Sequence, residues 1–169
     1  DFTTAETVDC GDSIGIQPSG SITLVVWFRT ISEAQQFLVS YYGWNIYLAS
    51  GRTPILENML NGGRWFSMGA LSKVPLNEWA SIGIVYDVDR EIQEIYVNGE
   101  LSNSMPRTQR PWRPGQHFRS KVVLGGRGFS GLMGEFRLYT RALSQAEMKD
   151  LYTASAKDRK LQPSAYRFA

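Results

Sequence analysis

The sequence predicts an all-β domain, two antiparallel sheets packed face to face, with one short helix near the C-terminus. Three observations carry that expectation. Apolar residues recur with period two along several short segments, turn-forming residues separate those segments, and one capping signature opens a late apolar stripe of helical spacing. A chain of 169 residues fits one domain. It is long enough to bury about 70% of its unfolded surface without a disulfide staple. Aromatic content of 12% favours pleated, half-buried strands, and sixteen glycines with seven prolines suit a fold with many turns.

Taken in order, the first clear strand is Ser21–Thr30. Ile22, Leu24, Val26 and Phe28 share one face, and Thr23, Val25, Trp27 and Arg29 the other. Apolar residues on both faces predict burial on both sides. Phe37–Tyr42 and Trp44–Ala49 read as two strands around Gly43. Ala80–Tyr86 sets Ile82, Ile84 and Tyr86 on one face, and Glu91–Val97 follows the polar turn Asp87-Val88-Asp89-Arg90, which makes a hairpin. Asn98-Gly99 predicts a tight type I′ turn, because both residues tolerate positive φ. Lys121–Leu124 and Glu135–Tyr139 are two further strands, separated by the glycine-rich Gly125–Gly134. Ser144-Gln145-Ala146-Glu147 is a capping box, and Ala146, Met148, Leu151 and Tyr152 supply a partial apolar stripe. The expected domain covers residues 1–156, with residues 157–169 as a tail.

The formal charge of +2 is too small to argue for nucleic acid, which is not an expected partner. Cys10 is the one cysteine, so no intramolecular disulfide forms, and a small buried hydrophobe is preferred over an intermolecular bridge. No apolar run approaches the ~20 residues that span a bilayer. No signal peptide is visible, and the chain opens at Asp1 in an expected first strand, which suggests a domain cut from a longer protein or a processed chain.

Five segments, in order, resemble the laminin G-like, concanavalin A-like superfamily. They are Val8-Asp9-Cys10-Gly11 followed by Ser21–Phe28; Trp79–Asp87; Ile95-Tyr96-Val97-Asn98-Gly99; Leu124-Gly125-Gly126; and Gly131–Glu147. The last, similar to the family's "GxIDeVRIYnRALsxxEi", is the most specific. The resemblance implies a jelly-roll sandwich of two curved sheets, with Trp27 and Trp79 in the framework. It also implies a test for Ca²⁺ at the rim, where the matching acids are Glu6 and Glu135; Gly134 replaces the family's aspartate. Calcium wants six to eight oxygens, so that loss weakens the set, and no other cofactor is expected.

No catalytic residue is expected. Relatives that cleave β-glucans carry two glutamates on one strand face, and retaining chemistry needs carboxyl groups about 5 Å apart. Glu91 and Glu94 are three apart, which puts them on opposite faces. Asp87, Asp89 and Glu91 have the spacing, but two of them fall in the turn; these acids read as solvated turn charges. His117 is the only histidine and has no second histidine or cysteine for zinc. Gly125-Gly126-Arg127-Gly128 leads to a strand and lacks the Lys-Ser/Thr of a phosphate loop.

Binding is the better expectation. From Leu101 to Gly134 there is no acidic residue, while Arg107, Arg110, Arg113, Arg119, Lys121 and Arg127 interleave with Trp112, His117 and Phe118. Arginine forks carboxylate, sulfate or phosphate, and tryptophan stacks on sugars or anchors interfaces. The expected ligand-binding residues are Trp112, Arg110, Arg113 and His117, with Trp44 and Trp65 beside turns as further candidates. The functional expectation is a non-catalytic recognition module for a carbohydrate or protein partner. It would be extracellular or surface-displayed on a larger protein or particle, a virion included, as a homo-oligomer or particle-bound copy. A structural assembly module is the alternative, favoured by Leu161, Tyr166 and Phe168 in the tail, and a glycoside hydrolase ranks third.

Overall fold

The structure, a computed structural model, describes residues 7–9, 20–41, 44–59, 65–106, 122–126, 128–159 and 166–168. Its strands are β1 (Thr7–Asp9), β2 (Ile22–Thr30), β3 (Gln36–Tyr41), β4 (Trp44–Ala49), β5 (Thr53–Met59), β6 (Trp65–Gly69), β7 (Ala80–Asp87), β8 (Ile92–Val97), β9 (Glu100–Pro106), β10 (Val123–Gly125), β11 (Gly131–Tyr139) and β12 (Tyr166–Phe168). The helix α1 covers Gln145–Arg159. The strands form two antiparallel six-stranded sheets, ordered β1-β10-β3-β4-β5-β6 and β12-β11-β2-β7-β8-β9.

The alternation in β2 explains how the layers stack. Leu24, Val26 and Phe28 enter the main core between the sheets, with Leu38, Ile46, Leu48, Leu56, Ile82, Ile84 and Ile95. Val25 and Trp27 point the other way, into a second cluster with Val85, Tyr96, Leu143 and Met148. The strand is buried on both sides, as its two apolar faces predict, and the cover on the second side is α1. Trp27 stacks on Tyr152 of the helix, ring centroids 5.3 Å apart and nearly parallel at 4°. Burial of each large apolar side chain stabilises by about 1.5–3 kcal/mol. Gly83 leaves room for the Met148 side chain of the helix: a Cβ there would stand 2.1 Å from Met148 Cε.

The capping box forms as its residues dictate. Ser144 N–H donates to Glu147 Oε2 at 2.8 Å, and Glu147 N–H donates to Ser144 Oγ at 3.3 Å. The Arg141 guanidinium, and then the Ser144 N–H and hydroxyl, hold the Glu147 carboxyl down at about 2. The Asn98-Gly99 turn has φ of 53° and 78°, both positive. Asn98 Oδ1 also accepts from Ser81 N–H at 2.9 Å, which ties the turn to β7.

Four strands go beyond the sequence expectation: β5, β6, β9 and β12. The strand β11 also starts earlier, at Gly131, because Gly131–Met133 pairs with Thr30–Phe28 before a register shift between Met133 and Phe136. At the C-terminus, α1 runs to Arg159, past the expected boundary at 156, and Tyr166–Phe168 pairs with Met133–Gly131 as an edge strand. Cys10 lies outside the described residues. No described helix is long and apolar enough to cross a membrane.

Candidate ligand-binding face

The helix lies on the outer side of the second sheet. The outer side of the first sheet carries none of the core, and its side chains range from half-exposed to exposed. Register decides what gathers there. Ser40 pairs with Asn45, Asn45 with Glu57, and Glu57 with Ser67, which places four polar residues in one row across β3, β4, β5 and β6. Strands lie about 4.8 Å apart, so the row from Asn45 to Ser67 spans about 10 Å. Asn45 Nδ2 donates to Glu57 Oε2 at 3.1 Å, and Ser67 Oγ donates to Glu57 Oε1 at 3.5 Å. The carboxylate therefore holds an amide on one side and a hydroxyl on the other.

Aromatic surface flanks this row. Trp65 is two residues from Ser67 on β6, on the same face about 7 Å along the strand, and it is 49% exposed. On the other side a second row runs Phe37, Tyr47, Ile55, Gly69. Phe37 and Tyr47 stack with centroids 5.1 Å apart. Burial, and then the Glu57 carboxylate, pushes the Tyr47 phenol up. An exposed indole beside a carboxylate–amide–hydroxyl row can stack on the C–H face of a sugar and hydrogen-bond its hydroxyls.

A different polar group occupies the outer side of the second sheet. Asp87 Oδ1 accepts from Asp89 N–H and Arg90 N–H, each at 3.0 Å, and Asp87 Oδ2 accepts from Arg90 Nε at 2.6 Å. Arg90 also reaches Glu94 at 3.5 Å, and Tyr96 Oη donates to Glu94 Oε2 at 2.9 Å. The expectation of solvated turn charges is corrected here for two of the acids. Asp87 is 6% and Glu94 5% exposed, because Asp87 closes the β7–β8 turn and Glu94 sits opposite the buried Val85. Asp89 and Glu91 are exposed. Both buried carboxylates bind the same guanidinium and are engaged in structure.

The expected site residues land in different places. Trp112, Arg110, Arg113 and His117 lie outside the described residues, as does Glu6. Trp44 faces the core and not a binding face: it alternates inward on β4, is 5% exposed, and packs on Tyr86 with centroids 5.4 Å apart. Beside it, Asn58 Nδ2 donates across the sandwich to Gln93 Oε1 at 3.2 Å. Trp65 stands on the outer face described above. The Glu135 carboxylate binds Arg137 through Oε1 and accepts from Ser155 Oγ through Oε2 at 3.4 Å. A guanidinium at that carboxylate competes with a divalent cation, and the described residues hold no group of three metal-capable side chains. Of the two acids expected to hold calcium, Glu135 is engaged by Arg137 and Ser155, and Glu6 lies outside the described residues. Asn45, Glu57 and Ser67 are not in the sequence expectation; they lie 12 and 10 positions apart, and only strand register joins them.

Comparison with known proteins places this architecture. The family described as the concanavalin A-like lectin/glucanases superfamily matches residues 2–149. No curated protein matches the chain in sequence. Among solved structures, the chain is similar to the Ruminococcus gnavus IT-sialidase CBM40 bound to α2,3 sialyllactose, with a TM-score of 0.72 at 18% identity, covering 88% of this chain and 92% of that one. It is similar to the botulinum neurotoxin serotype D binding domain, with a TM-score of 0.68 at 12% identity, over 90% of this chain and 42% of that one. It is also similar to the native heptameric SAP-like pentraxin from Limulus polyphemus, with a TM-score of 0.57 at 15% identity, over 78% and 69% of the two chains. At such identities these likenesses establish the fold.

Proposed function

The chain belongs to the concanavalin A-like lectin/glucanases superfamily, and from that premise we propose that it is a non-catalytic carbohydrate-recognition module that binds through the outer face of its first sheet. The observation that carries this reading is the Asn45–Glu57–Ser67 row with Trp65 exposed beside it. Neighbours with this fold include a carbohydrate-binding domain bound to a sialylated sugar and a toxin binding domain, which supports recognition over chemistry. The non-catalytic reading is supported by Asp87 and Glu94, which are tied to Arg90 and do not face each other across an open groove. The module is proposed to work outside the cell, displayed on a larger protein or particle, and the stretch with Arg110, Trp112, Arg113 and His117 is proposed to add contacts.

The test is Trp65→Ala on immobilised neutral and acidic oligosaccharides. Stacking on an exposed aromatic contributes enough that binding should fall at least about ten-fold, with the melting midpoint unchanged, since Trp65 is outside the core clusters. Unchanged binding by Trp65→Ala, with loss in a Trp112→Ala and Arg113→Ala double variant, would move the site to the basic stretch. A protein-contact reading has its own observation: Ile31, Leu71, Leu76 and Leu101 are exposed large apolar residues. Self-association that Leu71→Ser abolishes would favour it.

A further inference from the structure

On the outer face of the first sheet, Glu57 has no cationic partner among the described residues. It accepts from Asn45 and Ser67. The other acids with described side chains are either ion-paired (Asp87 and Glu94 with Arg90, Glu135 with Arg137, Glu147 with Arg141, Glu33 with Arg52, Glu100 with Lys149) or exposed (Glu78, Asp89, Glu91 and Asp150), whereas Glu57 is half-buried and unpaired. The charge at Glu57 is felt locally, since it contributes to raising the Tyr47 phenol. A surface carboxylate held by two neutral donors keeps acceptor capacity on both oxygens. Hydrogen bonds to a charged acceptor are about twice as strong as neutral ones. Asn45 and Ser67 bring an amide carbonyl and a hydroxyl within reach on either side.

From this we infer that the face selects glycans without acidic groups, with Glu57 accepting from sugar hydroxyls and repelling carboxylate- or sulfate-bearing residues. The inference rests on the proposed sheet-face site and deepens it. It separates this chain from its structural neighbour, whose bound sugar is sialylated. Specificity of this kind comes from a repulsive element as much as from an attractive one. Like charges in contact on a half-solvated surface weaken binding by about ten-fold or more.

A printed array carrying neutral, sialylated and sulfated oligosaccharides, probed with the wild-type chain, Glu57→Gln and Trp65→Ala, tests this. The wild type should bind neutral probes at least ten-fold above acidic ones of matched core structure. Glu57→Gln keeps the shape and removes the charge, so its preference should narrow to about three-fold or less, and Trp65→Ala should weaken binding to every probe at least about ten-fold. Equal or stronger wild-type binding to sialylated or sulfated probes, weakened in Trp65→Ala, overturns the charge selection and leaves the sheet-face site standing. Absence of glycan binding, or binding that Trp65→Ala does not change, overturns the site itself and the inference with it. The wild-type comparison decides the charge class whether or not either variant folds.

Discussion

Asp87→Ala should destabilise the domain by about 2–3 kcal/mol at neutral pH. The side chain makes three hydrogen bonds, two to turn amides at 3.0 Å and one to Arg90 Nε at 2.6 Å, and is buried. Hydrogen bonds to a charged acceptor contribute about 1.5–3 kcal/mol each. The full sum is not lost, because Asp89 and Arg90 lie at the surface and water replaces part of it. What water does not replace is the anchor that keeps Arg90 over Glu94, a buried carboxylate. Breaking a wholly buried pair costs about 3–5 kcal/mol, and with Arg90 half in solvent the cost falls below that. For a domain of this size the estimate corresponds to a melting shift of about 4–12 °C.

Acid supplies the second half of the test. Burial alone would raise the Asp87 carboxyl, but the Arg90 amide and guanidinium, with the Asp89 amide, outweigh it and hold the group below its ordinary value. A carboxyl depressed in the folded state contributes stability that is fully present above its unfolded value, about 3.9. That contribution is lost as pH falls through the folded value. The gap between wild type and Asp87→Ala should therefore be constant from pH 6 to 8 and close below about pH 4. Thermal melts followed by circular dichroism at pH 7, 4 and 3 measure it. A shift under about 1 °C at pH 7, or a gap that widens in acid, would refute the reasoning.

Two other substitutions probe how the fold is held. Ser144→Ala removes the helix cap and should lower stability by about 1 kcal/mol in urea unfolding, with the near-ultraviolet dichroism of the Trp27–Tyr152 stack lost at correspondingly lower urea than in wild type. Gly131→Ala should cost more, at least about 2 kcal/mol, because φ is 146° and a Cβ would stand 2.0 Å from the Arg29 carbonyl oxygen; Gly20→Ala, with nothing within 4 Å, is the matched control and should change little.

The elements that could be read in the sequence are those with a local signature. The two apolar faces of Ile22–Thr30, the Asn98-Gly99 turn and the Ser144–Glu147 box each state their conformation within a few residues, and each forms as stated. The strands that escaped lack such a signature. Pro54 near the start of β5 argues against a strand, since it cannot donate to the ladder, and β9 is a mostly polar edge strand whose identity comes from pairing with β8. The candidate face is non-local in the same way. Asn45, Glu57 and Ser67 are ordinary polar residues on three strands, and only antiparallel register makes them a row. Trp44 and Trp65 look alike in sequence, each beside a glycine-containing turn. Alternation parity on their strands sends one into the core and the other to the surface.

Backbone amide and indole shifts of the ¹⁵N-labelled chain, titrated with its strongest array ligand, locate the contact face without any substitution. The account requires perturbations grouped at Asn45, Glu57, Ser67 and the Trp65 indole N–H. Silence at those four positions, with shifts grouped on α1 or the β7–β8 turn, would contradict it.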